Sequence, residues 1–311
     1  SSACAAITAF LAGTGAEPRL SGIVQELAAK LTPESVVSMH ASRGCYARCT
    51  FCAYNADLNK GWRSRPADLI ADEIAMVLEA TPTRRIAFFD NDFGGRRSDL
   101  TARARDIHRK LDRRGLLGAA HISINVREDC LTPESIQLLS EIGVRTMLIG
   151  LETFDETVRT KLFGKSLDIT HLASVVEACD RYDVTALLSY ILWHPWQTLE
   201  GVRREVEEIG RWGTHRIPQF LTRSKLRIVP GTPIERILLN ANLLERTSQF
   251  ERSAQFVDPE ASAFLCTMEV WLQDRLSAAL TGSATPRDRF DALASLKLEE
   301  AEAYSRALAT A

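Results

Sequence analysis

Cys45, Cys49 and Cys52 stand in the run Arg43-Gly44-Cys45-Tyr46-Ala47-Arg48-Cys49-Thr50-Phe51-Cys52. Gaps of three and two residues bring three thiolates together on one short loop. Three thiolates can hold three corners of a cubic 4Fe–4S cluster and leave the fourth iron open to a small molecule. Gly44 supplies a residue able to take positive φ as the chain leaves the preceding strand. A competing chemistry is a structural zinc ion, which needs four ligands, usually as two close pairs. No second Cys-x-x-Cys or Cys-x-x-His exists, and His40, the nearest fourth ligand, lies inside an expected strand. A bacterial ferredoxin would need another cysteine soon after Cys52, and the next is Cys130. Three thiols kept only for packing are the remaining alternative. The chain has seven cysteines, an odd number, and at 311 residues it is large enough to have a core without disulfide staples.

The elements that must position this loop follow from hydrophobic periodicity, which alternates strands with amphipathic helices as in an α/β protein with a parallel sheet. Strands are expected at 36–40, 85–89, 121–124, 146–150, 186–192 and 225–229. Between them, helices are expected at 66–79, 99–114, from the Thr132 cap to Gly143, around 156–162, and at 169–182 and 199–212. Six βα units at this spacing describe a partial, TIM-like (β/α)6 barrel opened on one side, not the closed eightfold one. After Pro230-Gly231-Thr232-Pro233 the text becomes helical and charged, consistent with a helical C-terminal cap whose last stretch, 296–311, is a solvated helix. The expected organisation is an N-terminal helical extension or linker remnant at 1–35, the barrel at 36–233 and the cap at 234–311.

Composition is that of an ordinary globular chain, 45% hydrophobic and 25% charged with a net charge of −2. Nothing in that balance points to nucleic acid or an anionic membrane surface, and no apolar run approaches the roughly 20 residues of a membrane span. The first residues lack the basic start of a signal peptide. Free thiols and an oxygen-sensitive cluster both point to the cytoplasm.

The cysteine spacing, with aromatic Phe51 before the last cysteine, resembles the signature of the radical S-adenosylmethionine (radical SAM) superfamily. The resemblance covers about 36–233 and implies a partial (β/α) barrel holding a 4Fe–4S cluster and S-adenosylmethionine (SAM). It further implies reductive cleavage of SAM to methionine and a 5′-deoxyadenosyl radical that abstracts hydrogen from a small organic substrate in natural-product or cofactor biosynthesis. A flavodoxin or ferredoxin would supply the electron. By position, Cys45, Cys49 and Cys52 match the cluster ligands and Phe51 the residue lying against the adenine. Asp90, Asn91 and Asp92 stand where relatives place a Gly-Gly-Glu-like segment that meets the SAM ammonium. Arg127 is placed to fork onto the SAM carboxylate, its alternative being an ion pair with Glu128 or Asp129. Gly150-Leu151-Glu152-Thr153 resembles the Gly-x-Glu-Ser that sits near SAM, where Glu152 can accept from ribose hydroxyls.

After strand five, relatives often read Gly-x-Pro-Gly-Glu-Thr, and this chain reads Trp193-His194-Pro195-Trp196-Gln197-Thr198. Trp193, His194 and Trp196 would narrow the cavity and offer stacking faces and a titratable group, with plain core packing as the alternative. His194 is the candidate catalytic group of that run. Cys130 and Cys266 are candidate hydrogen donors to a product radical, or simply small buried hydrophobes.

Within the superfamily, Ala41-Ser42-Arg43-Gly44-Cys45, Gly61-Trp62-Arg63-Ser64-Arg65 and Asp72-Glu73-Ile74 look most like the cobalamin-linked branch. The pieces 6–13 and 20–24 resemble the end of a linker that follows a cobalamin domain, and no such domain fits before residue 36. This branch implies cobalamin and methyl transfer, whereas the alternative uses SAM alone. A non-catalytic iron–sulfur or zinc protein is the reading from a different class.

Overall fold

The cysteine loop is framed by one short antiparallel pairing of its flanks. Strand β1 (Val36–Met39) leads into β2 (Ser42–Arg43), which pairs antiparallel with β3 (Arg63–Ser64), Ser42 opposite Ser64 and Arg43 opposite Arg63. Gly44 takes φ 85° between them, and a Cβ there would sit 2.1 Å from the Gly61 carbonyl oxygen. Glycine is therefore required twice over, for its backbone angle and for the space. These coordinates are a computed structural model that describes residues 30–55, 61–246, 252–281, 283 and 285–310. The linker-like pieces 6–13 and 20–24, and the extension up to residue 29, lie outside the described residues.

Helix α1 (Ala67–Ala80) follows, then β4 (Arg85–Phe88), α2 (Arg97–Asp112), β5 (His121–Val126), α3 (Pro133–Ile142), β6 (Val144–Glu152), α4 (Ile169–Arg181), β7 (Thr185–Tyr190) and α5 (Leu199–Trp212). Strand order β1-β4-β5-β6-β7 makes one five-stranded sheet, parallel from β1 through β6 by register. Alternation is clean in β5, where Ile122, Ile124 and Val126 are buried. Helices α1, α2, α3 and α4 pack in sequence, burying stripes such as Ile70, Ile74 and Leu78 of α1. Thr132 caps α3, its Oγ1 accepting from Ser135 N–H at 3.1 Å, while Gly143 ends the helix at φ 117°.

Two expectations are corrected here. The run 225–229 is not a sixth full strand. It makes one parallel bridge, from Lys225 to Trp193, and one antiparallel bridge, from Ile228 to Arg252, so two partners divide it. The segment expected as helical around 156–162 is helical, with Val158–Leu162 wound as a π-helix. The C-terminal part is not wholly helical. After α6 (Pro233–Asn240), a hairpin of β8 (Leu244–Arg246) and β9 (Arg252–Ala254) precedes the long helices α7 (Pro259–Thr281) and α8 (Pro286–Thr310).

Nor is the final helix simply solvated. Leu296, Glu300, Tyr304 and Leu308 are buried at helical spacing. The Glu300 carboxylate accepts the Leu221 and Thr222 amides at 2.7 and 2.9 Å.

By compactness the chain divides into one unit drawn from residues 1–46, 60–149 and 168–186 and another from 47–59, 150–167 and 187–311. Among the described residues, no helix is long and apolar enough to cross a membrane.

Candidate active site

In the first unit, the turn after β4 alternates. Phe89 and Asn91 are exposed, while Asp90 and Asp92 are buried. The Asp90 carboxylate accepts the Ala41 amide at 3.0 Å, the Ser42 hydroxyl at 2.6 Å and the Ser42 amide. Asp92 accepts from the amides of Gly94, Gly95 and Arg127 at 3.1, 3.2 and 3.3 Å. Burial pushes the Asp92 carboxyl up, and the Gly94 and Arg127 amides pull it back. Both carboxylates thus fasten backbone, and Asn91 alone of the three is exposed.

The Trp62 indole donates to the Asp92 carbonyl at 2.8 Å and lies against Gly95, where a Cβ would be 2.6 Å from the ring. Arg103 is buried with its guanidinium 5.1 Å from the Trp62 ring centre and 4.4 Å from that of Phe93. Two pieces of the branch-like text also meet, since Arg65 pairs with Glu73 in a fork.

Arg127 realises its ion-pair alternative. Its Nε and Nη2 reach Asp129 at 3.2 and 2.9 Å, and Nε also donates to the Tyr46 hydroxyl at 3.0 Å. Tyr46, one residue past Cys45, donates in turn to Asp129. This triad ties the start of the cysteine loop to the end of β5. Cys130 is fully buried, its thiol donating to the Arg127 carbonyl at 3.0 Å, and burial together with Asp92 raises its pKa well above the usual thiol value.

In the second unit, Thr50 pins the rest of the loop. Its amide donates to Phe163 O at 2.9 Å, its hydroxyl to Leu162 O at 2.5 Å, and its own carbonyl accepts from Ile234 N–H at 3.0 Å. The Phe51 ring meets Phe163 edge to face at 5.3 Å. Cys49 is buried, Cys45 and Cys52 are partly exposed, and no disulfide joins any of the described cysteines. Three thiols on one loop, with Gly44 making its turn, are a donor set that fits a cluster. Among the described residues, no three His, Cys, Asp or Glu side chains converge on a single-ion position.

Glu152 ends β6 at φ 72°, a left-handed angle uncommon for a residue with a Cβ. Its carboxylate accepts from Lys165 Nζ and Ser189 Oγ, each at 3.1 Å. Thr153 turns the other way, its hydroxyl donating to Glu205, which also accepts the Phe154 and Asp155 amides at 3.1 and 2.9 Å and the Tyr190 hydroxyl. Burial raises the Glu205 carboxyl, and these donors oppose the shift.

Trp193 is 1% exposed, with Phe256, Phe264 and Tyr304 around its ring. His194 is likewise buried, edge-on to Phe163 at 5.8 Å. Both contribute to a cavity of about 520 Å³ whose wall includes Lys225, Arg227, Arg252 and Phe256. Trp196 packs instead against the apolar cluster of Phe163, Ile191 and Leu226. Cys266 is exposed on α7.

Burial pulls His194 down to about 4 from 6.5, with Asp155 opposing. The neutral ring's contribution to stability is complete above pH 6.5 and is lost as pH falls through 4. At 1.36 kcal/mol per unit the loss is about 3 kcal/mol. His194→Leu should therefore flatten the urea-unfolding stability between pH 6.5 and 4; an unchanged pH slope would contradict the burial account.

Residues 39–209, more than half of the chain, match the radical SAM superfamily. The chain belongs to that superfamily. It is 23% identical over 166 residues to an uncharacterized methyltransferase of Pyrococcus horikoshii, covering 53% of this chain and 35% of that protein. A bacteriochlorophyllide d C-12(1)-methyltransferase of Chlorobaculum tepidum is 23% identical over 161 residues, 51% of this chain and 33% of that protein. Among solved structures, the cobalamin-dependent SAM radical enzyme OxsB with aqua-cobalamin bound aligns with a TM-score of 0.72 at 16% identity, over 87% of this chain and 46% of that one. The radical SAM methyltransferase TsrM of Kitasatospora setae, with tryptophan and aza-SAM bound, aligns at 0.59 and 17% identity over 70% and 42%. The chain thus spans about a third of the curated relatives' length and under half of either structure.

The superfamily to which the chain belongs is one of enzymes that use a 4Fe–4S cluster and SAM. In the first unit the structure adds Tyr46, Trp62 and Arg103, and in the second Lys165, Ser189 and Glu205. Only Trp62 carried a sequence signal, as part of Trp-Arg-x-Arg. The others are ordinary polar residues whose partners lie on other elements.

Proposed function

We propose that this chain carries the radical chemistry of a cobalamin-linked enzyme that methylates a small organic substrate. The reading is supported above all by the likeness to a cobalamin-dependent enzyme over 87% of the chain, more than residues 36–233 alone would supply. The methyltransferase names of both curated relatives point the same way. Cys45, Cys49 and Cys52 hold the cluster, which when bound supplies the electron for reductive cleavage of the SAM sulfonium. A flavodoxin or ferredoxin is the natural source of that electron.

The protein's own part is to bind and orient. Tyr46, Arg127 and Asp129 fix the start of the cluster loop, and Thr50 fixes its second half. Phe51 lies against the adenine through its backbone. The Glu152 carboxylate, with lone pairs left after Lys165 and Ser189, accepts from the ribose hydroxyls. Asn91 is the exposed member of its turn that can meet the amino-acid end of SAM. His194, Trp193 and Trp196 shape the substrate side, His194 as a neutral imidazole. Neither thiol is placed as a hydrogen donor, because Cys130 is fully buried with its thiol bonded to the Arg127 carbonyl and Cys266 is exposed.

Reconstitution with iron and sulfide, followed by SAM and dithionite, tests the reading. Formation of 5′-deoxyadenosine is expected, with S-adenosylhomocysteine appearing in addition when hydroxocobalamin is supplied. If 5′-deoxyadenosine forms with no response to cobalamin, methyl transfer gives way to hydrogen abstraction with SAM alone. An intact cluster that leaves SAM uncleaved would contradict both.

A further inference from the structure

We propose that Lys165 is the positioning residue of Glu152, holding its carboxylate in the orientation that meets the SAM ribose. The inference rests on the role given to Glu152 above and asks what keeps that side chain in place. Three features of the second unit converge on the answer.

The first is the ammonium itself. Lys165 is 3% exposed in its side chain, and its Nζ bridges the Gly150 carbonyl at 2.7 Å and Glu152 Oε1 at 3.1 Å. Both acceptors lie at the end of the same strand, so the ammonium spans the point where the chain turns into its left-handed residue. A buried lysine is retained where a specific partner compensates its desolvation. With Ser189 on Oε2, each carboxylate oxygen has one named protein donor, and a carboxylate offers about four acceptor sites. Capacity remains for a diol.

The second is the space. A Cβ on Gly150 would lie 2.2 Å from Lys165 Nζ and 2.7 Å from Glu152 Oε1. Gly150 does not adopt a positive φ, so glycine is needed there for the ammonium and not for the backbone angle.

The third is delivery. The π-helical turn closes with Phe163 N–H on Val158 O at 2.9 Å, and Lys165 N–H then reaches Arg159 O at 2.9 Å across Gly164 at φ 60°. This closure spans one residue more than the Schellman cap that ends an α-helix, in keeping with the wider π turn, and π-turns recur at functional sites. The cap is bonded to the cluster loop through Thr50 on Leu162 and Phe163. Lys165 therefore carries the placement of the Cys49–Cys52 segment to Glu152.

The test measures SAM dissociation constants by calorimetry on cluster-loaded protein, alongside iron content and melting temperature. Gly150→Ala evicts the ammonium without removing a charge, and Lys165→Met removes it. Each should weaken SAM binding about tenfold, equivalent to ~1.4 kcal/mol, with iron content unchanged. The double variant should bind no more weakly than either single, because both act on one contact. In 5′-deoxyadenosine formation the KM for SAM should rise by the same factor while kcat stays within about twofold. A fall in melting temperature with unchanged SAM affinity would overturn the proposal. If Lys165→Met fails to fold, Gly150→Ala decides by itself. Glu152→Gln separates the two levels: wild-type affinity in that variant sinks the ribose role, whereas weak binding there beside normal binding in Gly150→Ala sinks only the positioning role.

Discussion

Cys49→Ala should leave a folded protein that cannot keep its cluster. Loss of a neighbour that merely supports a ligand costs roughly 10–100-fold in metal affinity, so loss of a ligand from a set of three should exceed that. Iron after reconstitution should fall from about four per chain to near zero, and 5′-deoxyadenosine should be undetectable. Cys49 is buried, but alanine removes only a sulfur atom, so the melting point of the cluster-free protein should move little. Thr50→Val supplies the contrast. It deletes the hydroxyl bond to Leu162 O, worth ~1 kcal/mol, and should weaken cluster retention without abolishing it. A Cys49→Ala protein that still assembles a full cluster would remove the ligand assignment.

Asp90→Ala should be the most destabilising change in the acidic turn. It strands the buried amides of Ala41 and Ser42, while the Ser42 hydroxyl still reaches the Asp92 carbonyl at 2.9 Å. At about 1–3 kcal/mol per stranded buried group, the loss is on the order of 2–6 kcal/mol. That is a large part of the 5–15 kcal/mol typical of a folded domain. Urea unfolding of the cluster-free protein should show it, with Asn91→Ala near wild type. If Asp90→Ala instead keeps full stability and loses SAM affinity, the carboxylate faces the cofactor after all and the fastening role is wrong.

The contrast between these two sites shows what sequence carries. The cysteine loop was legible because its chemistry is local: three ligands and a glycine within nine residues. The five strands of the sheet, β1 and β4 to β7, were legible for the same reason, as short apolar runs between helices. Asp90 stands at a strand end as expected, but its fastening role was not legible, because the amides it holds lie about fifty residues earlier. Arg127 shows the same limit. Its fork is taken by Asp129, and the Tyr46 that completes the triad is 81 residues away. Lys165 had no signal at all, since a lysine beside glycine in a charged segment ordinarily points to water. The run 225–229 had the composition of a strand, yet Trp193 and Arg252 each take part of it. Glu300 lies in charged text, and its burial depends on the amides of Leu221 and Thr222.

Electron paramagnetic resonance of the dithionite-reduced cluster, recorded with and without SAM, tests the central claim most directly. With only three protein thiolates on the cube, the open iron must accept SAM, and adding SAM should shift the g values of the reduced cluster. A spectrum unchanged by saturating SAM, from protein carrying its full complement of iron, would mean that the fourth position is closed and would contradict the account.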